Sequence, residues 1–580
     1  MSAREDTSAG HAGAASTSSP SGVPPGRATT PSAADLFVRC LEAEGVEFVF
    51  GIPGEETLAV SEALDRSARI TFIPTRHEQG AAFMADAYGR LTGNPGVCLA
   101  TLGPGATNLA TGIGDATLDK APVVALTGQV RLAGMHKETH QFIDVVDMLA
   151  PMTKWNTRVH DPRMITEAVR KAFFIAAAEK PGATHLELPE DVMAAPATGQ
   201  PLPHNPVVVI EPDAAALQRA AHLIQTAARP LVLAGNGVVR QGASMALRDF
   251  VRQTGLHVIT TFMGKGVIDA DDEHFLFTAG LRAQNYPQGL MGRSDLIITV
   301  GYDMVEWPPS SWNPDGTQRI VCIDTVPPEI DADFIAEVEL VGDLGHILRQ
   351  LGALLWNKPV ATWEAPPYRK AFHQVLEVGD DDDMPVKPQR VLRDLRALMA
   401  PDDLLISDVG AHKLWVARLW EAREPNTVLI SNGFAAMGFA LPAAVAGALA
   451  LRGRRKVVAI CGDGGFLMNV QELETARRLG LPFVVLVWSD GAFGLIEMHQ
   501  RTRYKRVSGT RFDNPDLVAL AHSFGIEGMR VQRASELPSI LKKAFAARGP
   551  VIVDVPIDYS ENDKLGIDLW KLAPEVWPSL

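Results

Sequence analysis

The chain has 580 residues, 46% of them hydrophobic and 21% charged, which is typical of a folded protein with about three or four domains. The 54 Lys and Arg residues are outnumbered by 68 Asp and Glu, and the net charge of −14 contains no basic cluster, so nucleic acid is not an expected partner. No apolar run reaches the roughly 18–20 residues that span a membrane. The four cysteines form no CxxC pair, so we expect a cytoplasmic protein with neither a zinc site nor a disulfide framework.

Residues 1–31 are rich in Ser, Ala, Gly, Pro and Thr, which predicts a disordered tail. The tail lacks the apolar segment of a secretory signal. A transit peptide is the alternative, although Arg4 and Arg27 are its only arginines. The ordered chain is predicted to begin at Ser32, because Ser32 and Asp35 form a capping box before an apolar helical segment.

Strands that are apolar on both faces alternate with helices along the rest of the chain, which predicts an α/β protein with three doubly wound parallel-sheet domains. Pro-rich and polar stretches at 194–213 and 358–387 mark the linkers. The predicted domains are residues 32–198, 212–356 and 388–565, followed by a C-terminal tail, 566–580. The similar block lengths suggest duplication, but no sequence repeat is visible.

Two aspartates follow consecutive buried strands. Asp463 comes after "VVAICG" and Asp490 after "PFVVLVWS". Ligands of parallel sheets bind at the carboxyl ends of the strands, and the glycines beside Asp463, before a helix predicted over "MNVQELETARRL", leave backbone N–H groups for an anion. Two carboxylates with backbone oxygens suit Mg²⁺, which shares its ligands with phosphate. The pattern therefore predicts a Mg²⁺–diphosphate site, with ordinary acidic turns as the alternative.

A second glycine turn, Gly235-Asn236-Gly237, follows the strand "PLVLA". It is similar to the start of a dinucleotide fingerprint, but Arg240 stands where the third glycine is required. A simple turn after a strand explains it equally well. An NAD-dependent dehydrogenase would rest on this motif alone.

The Gly462-Asp463-Gly464 turn is separated from Ser489-Asp490 by 24 residues, and this pair of motifs resembles the thiamin diphosphate (ThDP) motif. The family usually has two asparagines where this chain has Ser489-Asp490. The resemblance implies that the metal ligands are Asp463, Asp490 and the carbonyl of Ala492. An Asp in place of Asn keeps the oxygen ligand and adds a charge.

Three further segments carry the resemblance. "RHEQGAAFMADAYGRLTG" assigns to Glu78 the carboxylate that drives tautomerisation of the cofactor's aminopyrimidine. "ISNGFAAMGFALPAAVAGAL" assigns to Met437 the apolar wedge that bends the cofactor, and "SDVGAHKLW" assigns diphosphate contacts to Gly410, Ala411 and His412. The other implied cofactor-binding residues are Ala435, Gly464, Gly465, Phe493, Gly494 and Leu495. The alternatives are a helix-start glutamate for Glu78 and core packing for Met437.

Segments such as "FVFGIPG", "LGPGATNLATGI" and "GPVIVDVPIDYSEN" resemble the acetolactate synthase large (catalytic) subunits over about residues 33–565. The resemblance implies pyrimidine-binding, central and diphosphate-binding domains, in that order. It implies decarboxylation of pyruvate and joining of the hydroxyethyl-ThDP carbanion to a second 2-keto acid. It also implies a homodimer or homotetramer in which Glu78 and Asp463 meet across subunits.

"HKETHQFID", "GYDMVEWPPSSWN" and "VWSDGAFGLIEMHQ" favour the catabolic, flavin-independent branch, and His499 stands where the biosynthetic branch has tryptophan. FAD therefore stays open, as do the acceptor keto acid and any regulatory subunit. The rivals are benzoylformate-, sulfoacetaldehyde- and oxalyl-CoA-type ThDP enzymes, or a ThDP-binding homologue without catalysis.

The "KETHQ" segment suggests residues that handle the substrate. Gln141 is predicted to hydrogen-bond the reacting species and Lys137 to attract a keto-acid carboxylate, with a solvated polar loop as the equal alternative. His140 is a candidate proton relay or a structural hydrogen-bonding residue. The apolar side of the pocket is assigned to Phe142, Leu495 and Ile496, for which core packing is the alternative.

Overall fold

The computed structural model describes residues 31–204, 210–280, 290–363 and 377–566. The predicted N-terminal and C-terminal tails therefore lie outside the described residues, apart from Pro31 and Gly566. The described residues form three six-stranded sheets in which every neighbouring pair of strands is parallel. The prediction of an α/β protein with three parallel-sheet domains is confirmed.

The N-terminal sheet has the order β2-β1-β3-β4-β6-β5. Its strands are β1 (Phe48–Gly51), β2 (Thr71–Pro74), β3 (Gly96–Ala100), β4 (Val123–Gln129), β5 (Trp155–Arg158) and β6 (Ala183–Pro189). Its helices are α1 (Ala33–Ala43), α2 (Leu58–Asp65), α3 (Glu78–Thr92), α4 (Pro104–Leu118), α5 (Val145–Leu149), α6 (Ile165–Ala177) and α7 (Glu190–Ala194). The Ser32–Asp35 capping box at the start of α1 is present as predicted.

The central sheet has the order β12-β11-β10-β7-β8-β9, which is the strand order of dinucleotide-binding folds. Its strands are β7 (Pro230–Ala234), β8 (Val258–Thr261), β9 (Phe275–Ala279), β10 (Leu296–Val300), β11 (Ile320–Asp324) and β12 (Val338–Val341). Its described helices are α8 (Ala214–Thr226), α9 (Asn236–Arg240), α10 (Ser244–Thr254) and α11 (Leu344–Leu355).

The C-terminal sheet has the order β14-β13-β15-β16-β18-β17, the same arrangement as the N-terminal sheet when strands are counted within each domain. Its strands are β13 (Leu404–Ser407), β14 (Val428–Ile430), β15 (Val457–Gly462), β16 (Val484–Ser489), β17 (Glu527–Arg530) and β18 (Val551–Pro556). Its helices are α12 (Pro388–Arg396), α13 (Ala411–Leu419), α14 (Ala440–Leu451), α15 (Asp463–Met468), α16 (Glu472–Arg478), α17 (Gly494–Tyr504), α18 (Leu517–Ser523) and α19 (Leu537–Phe545).

One helix prediction beside the aspartates was wrong. We expected one helix from Met468 to Leu479, but α15 begins directly at Asp463, and a break at Asn469 separates it from α16. The close approach of Asp408 explains the glycine in the first turn of α15, because a Cβ on Gly465 would lie 2.8 Å from Asp408 Oδ2. Each sheet lies inside one of the predicted domain ranges, whose limits stay predictions.

The N-terminal and C-terminal domains share one apolar core. Helix α3 packs against α14, and the rings of Phe83 and Phe439 meet edge to face with centroids 5.6 Å apart. The four cysteines are buried free thiols. Within the described ranges, no helix is both long and apolar enough to cross a membrane.

Candidate active site

The residues that the sequence assigns to cofactor binding line one cavity of about 260 Å³ at the carboxyl ends of β13, β15 and β16. The lining includes Gly410, Ala411, His412, Ala435, Met437, Asp463, Gly464, Gly465, Asp490, Ala492, Phe493, Gly494 and Leu495. Ile496 lines it as well and is 51% exposed, so core packing does not explain this residue. All of these lining residues come from the C-terminal domain.

Asp463 lies at the centre of a hydrogen-bond network. Its Oδ2 accepts from the backbone N–H groups of Asp490 (3.0 Å) and Gly491 (2.8 Å) and from the side-chain Nδ2 of Asn514 (2.7 Å). Its Oδ1 accepts from the N–H of Gly464 at 2.8 Å. The carboxylate is 1% exposed and ties the ends of two strands together.

Asp490 is the second carboxylate of the cavity. Burial, with smaller contributions from the charges of Asp463 and Glu497, raises the pKa of Asp490 to about 7. Burial is the main cause of the rise, and the charges of Asp463 and Glu497 add a repulsion that Arg511 partly offsets. A cation placed between the two carboxylates would relieve this repulsion.

The donor set fits a magnesium ion held jointly with a diphosphate. Among the residues that the structure describes, no cluster of three His, Cys, Asp or Glu side chains is suited to holding a metal. Asp463 and Asp490 provide two oxygens and Ala492 lines the same cavity, so the remaining ligands of a hexacoordinate ion would be phosphate and water oxygens. Metal and cofactor are thus expected to bind together.

The segment that carries Met437 is fixed from both sides at Gly438, whose φ is +87°. The Gly438 N–H donates to Asp408 Oδ1 at 2.9 Å, and its carbonyl accepts from Asn469 Nδ2 at 2.9 Å. Ala435 is also in the left-handed region, with φ of +55°. Met437 is half-buried and faces the cavity. The core-packing alternative for Met437 therefore fails, while its role as a wedge stays a prediction.

His412 is a neutral side chain of the cavity. Burial, with Lys413 adding to it, lowers the pKa of His412 to about 3. Its Nε2 is buried and has no hydrogen-bond partner among the described residues. An uncharged imidazole beside the start of α13 leaves anion binding to backbone N–H groups rather than to a histidine charge.

Glu78 lies in the N-terminal domain, where it begins α3. It is 8% exposed, and its Oε2 accepts a hydrogen bond from Asn108 Nδ2 on α4 at 3.0 Å. The carbonyl and Cβ of Gln141 lie over Gly103, directly before α4, and Gln141 has φ of +57°. Glu78 and Gln141 therefore share the N-terminal end of one helix. Neither lines the cavity of its own chain.

Lys137 and His140 are exposed on the same N-terminal loop, and Phe142 is partly buried there. None of the three lines the C-terminal cavity. The structure thus gathers the predicted residues into two sets, one on each outer domain.

Comparison with known proteins gives the same division. Three family models match, each described as a domain of a thiamine pyrophosphate enzyme: the N-terminal TPP binding domain over residues 31–148, the central domain over 217–351 and the C-terminal TPP binding domain over 408–555. The chain is 37% identical to acetolactate synthase of Bacillus subtilis (strain 168), over 92% of this chain and 95% of that protein.

The chain belongs to the thiamine pyrophosphate enzyme family, among the acetolactate synthases. It is 36% identical to the catabolic acetolactate synthase of Raoultella terrigena, over 92% of this chain and 96% of the relative. It is 35% identical to a probable acetolactate synthase large subunit of Methanocaldococcus jannaschii, over 91% of this chain and 92% of that one. ThDP is therefore the cofactor, and the dehydrogenase and non-catalytic alternatives are not favoured.

Sequence analysis did not identify three polar residues of this protein that lie at the candidate site. Asn108, on helix α4, contacts Glu78, and Asn514, on a loop, contacts Asp463; both are distant in sequence from their partners. Tyr559 lines the cofactor cavity. Asn514 is 51 residues from Asp463 and precedes a proline, which in sequence indicates only a turn. Of the three residues, Tyr559 alone had a sequence signal for a place at the site, because it lies shortly after the end of β18.

The structure of the central domain shows what the Gly235-Asn236-Gly237 turn contacts. Gly235 and Gly237 pack against Gly301 at the end of β10. The carboxylate of Glu306 accepts from the N–H groups of Asn236 (3.3 Å) and Met263 (2.9 Å), and it is 2% exposed. A carboxyl side chain of the same domain thus accepts from an N–H group at the start of α9 that a dinucleotide phosphate would use.

Proposed function

We propose that the chain decarboxylates pyruvate and joins the two-carbon fragment to a second 2-keto acid, so that two pyruvate molecules give acetolactate and CO₂. The gathering of all the assigned cofactor residues into one cavity is the observation that carries the proposal. The names of the relatives, acetolactate synthases that match over almost their full length, support the same reaction.

The metal site is assigned to Asp463, Asp490 and the carbonyl of Ala492, which would hold Mg²⁺ against the cofactor's diphosphate. The turns at Gly410–His412 and Gly464–Gly465 would contact the diphosphate itself. Bound ThDP supplies the electron sink for decarboxylation. Met437, held at Gly438 by Asp408 and Asn469, would support the bent cofactor from below.

The second wall of the site is assigned to the N-terminal domain of another copy. Glu78 would accept a hydrogen bond from the aminopyrimidine, and Asn108 keeps its carboxylate in place. Gln141 would hydrogen-bond the reacting species, and Lys137 would attract the keto-acid carboxylate. The half-site in each chain and the separation of Glu78 from the cavity support a homodimer or a dimer of dimers.

A flavin-free reaction is favoured by Glu306. A buried carboxyl group that already accepts from two backbone N–H groups would compete with the diphosphate of FAD for these donors at the central crevice. The catabolic acetolactate synthase among the relatives agrees with this assignment.

The purified protein should be assayed with ThDP, Mg²⁺ and pyruvate, with and without FAD. We expect pyruvate loss together with acetolactate, detected as acetoin after acid treatment, at the same rate whether or not FAD is present. Formation only with FAD would overturn the flavin-free assignment. No pyruvate consumption, with ThDP demonstrably bound, would overturn pyruvate as the substrate. Glu78→Gln should lower turnover by at least about 100-fold while ThDP still binds, because proton transfer in the cofactor loses its carboxylate.

A further inference from the structure

Asn514 lies outside the family motifs and touches the candidate metal site. It lies on the loop between α17 and α18, and its Nδ2 donates to Asp463 Oδ2 at 2.7 Å. The other donors to Asp463 are backbone N–H groups. The contact requires the amide nitrogen to face Asp463, because the opposite orientation would place two oxygen acceptors against each other.

The two oxygens of Asp463 are unequal as a result. Oδ2 accepts three hydrogen bonds, from Asp490, Gly491 and Asn514, whereas Oδ1 accepts one, from Gly464. An oxygen with three donors has little capacity left for a cation, and an oxygen with one donor retains it. The Asn514 amide therefore selects Oδ1 as the oxygen that can bind a metal and prevents rotation of the carboxylate.

The other end of the same amide has no partner. Asn514 Oδ1 is buried and lacks a hydrogen bond among the described residues. A second cavity of about 570 Å³ reaches Asn514, Ser489 and Gly491, but this oxygen is not exposed to it. The hydrogen bond from Nδ2 to Asp463 is therefore the contact through which the amide can act on the metal site.

We propose that Asn514 is a positioning residue for the metal ion: it orients Asp463 so that Oδ1 faces the metal. The inference rests on the metal site of the proposed function. It extends that site from strand-end motifs to the loop before α18. Partners that orient a metal ligand commonly change metal affinity by about 10–100-fold when they are removed.

The test measures Mn²⁺ binding to the ThDP-loaded protein by electron paramagnetic resonance, with ThDP affinity followed by calorimetry. Asn514→Ala should weaken Mn²⁺ binding by about 10-fold. Asn514→Asp should weaken it more, because it replaces the donor with an oxygen that repels Asp463 Oδ2. Gln532→Ala is the matched control, since Gln532 is an exposed amide that lines the same second cavity. The Mn²⁺ affinity of this variant should stay within about twofold of wild type.

Thermal unfolding of the metal-free proteins separates positioning from folding. We expect Asn514→Ala to unfold within a few degrees of wild type without metal and to lose most of the added stability that Mn²⁺ and ThDP confer on wild type. Wild-type Mn²⁺ affinity in Asn514→Ala, or an equal loss of stability with and without metal, would overturn the proposal.

Failure of the proposed function gives a different pattern. If wild type binds Mn²⁺ and ThDP but does not consume pyruvate, the proposed reaction is wrong. The Mn²⁺ affinities of wild type and the Asn514 variants still test the role of Asn514. If wild type does not bind Mn²⁺ with ThDP, the metal site is wrong and the Asn514 proposal is overturned with it.

Discussion

Glu306 shows at the scale of one residue how a buried side chain can satisfy the backbone donors of its own fold. Burial, with the nearby charge of Asp303 adding to it, raises the pKa of Glu306 to about 7, although three hydrogen bonds, two of them from backbone N–H groups, oppose the rise. The side chain therefore binds a proton more tightly in the folded protein than in the unfolded chain, where its pKa is near 4.5. Folding is favoured by this group at low pH, and the contribution is lost as pH rises toward 7.

Replacing Glu306 with Gln should remove that dependence. The stability of the wild type should contain a contribution that falls by up to about 3 kcal/mol between pH 4.5 and 7, because the carboxyl must ionise in a buried site. The thermal unfolding midpoint of the variant should therefore increase relative to that of the wild type as pH rises from 5 to 8. A difference that is constant with pH would show that Glu306 is ionised in the fold throughout.

Prediction from sequence succeeded for residues next to a strand end and failed for those that reach the site from elsewhere. Asp463 and Asp490 follow apolar strands directly, so their shared edge follows from parallel-sheet geometry. Asn514 lies on a loop and Asn108 lies on helix α4. Their contacts depend on tertiary packing, which no local pattern encodes.

At the scale of elements, the edges of the sheets were the hardest to predict. Of the six edge strands, the apolar runs "ITFIPT" and "NTVLIS" predicted β2 and β14, whereas β5, β9, β12 and β17 were not predicted. An edge strand needs apolar residues on fewer sides, and β5 ("WNTR") and β17 ("EGMR") accordingly alternate polar with apolar residues or lack an apolar run. The central strands are buried on both faces, and for that reason their apolar runs were visible.

Helices α3 and α4 carry a buried ion network that joins the N-terminal and C-terminal domains. Arg90 Nε lies 2.6 Å from Asp86 Oδ1, and Arg90 Nη2 lies 3.0 Å from Asp119 Oδ2 and 3.6 Å from Asp115 Oδ2. Arg90 Nη1 donates to the carbonyl of Ile430 at 2.9 Å. Burial raises the pKa of Asp86 to about 6 and the pKa of Asp115 well above its usual value. One guanidinium thus balances three buried acids.

Arg90→Met should destabilise the protein by about 3–5 kcal/mol, since it keeps the side-chain volume and leaves the three aspartates without their cation. Denaturant unfolding at pH 8 would measure the loss, which should shrink at pH 5 as Asp86 and Asp115 take up protons. Arg163→Met is the control: Arg163 pairs with Asp161 on the surface, and its loss should leave stability nearly unchanged. An equally small effect of Arg90→Met would show that the network does not stabilise the domain contact.

At the scale of the whole molecule, the two outer domains have one strand order, and each contains one of the two sets of predicted site residues. The similar block lengths in the sequence suggested duplication, and the shared topology agrees with it although no repeat is visible in the residues. The central sheet follows a different order, with Glu306 in its crevice. The fold could thus be predicted from strand patterns, whereas the proposed placement of Glu78 in the site of another copy depends on an assembly that one chain does not contain.

That placement can be tested by mixing two inactive variants. Glu78→Gln damages the N-terminal half of the site and Asp463→Asn the C-terminal half, so each homo-oligomer should be nearly inactive. If each site joins the two halves from different chains, a mixed dimer contains one intact site and one with both changes. Unfolding and refolding an equal mixture, or co-expressing the two chains, should then restore about a quarter of wild-type activity by random pairing. A mixture of Glu78→Gln with itself is the control and should stay inactive. If the mixture also stays inactive although mixed dimers form, Glu78 and Asp463 act within one chain and the two-chain site is wrong.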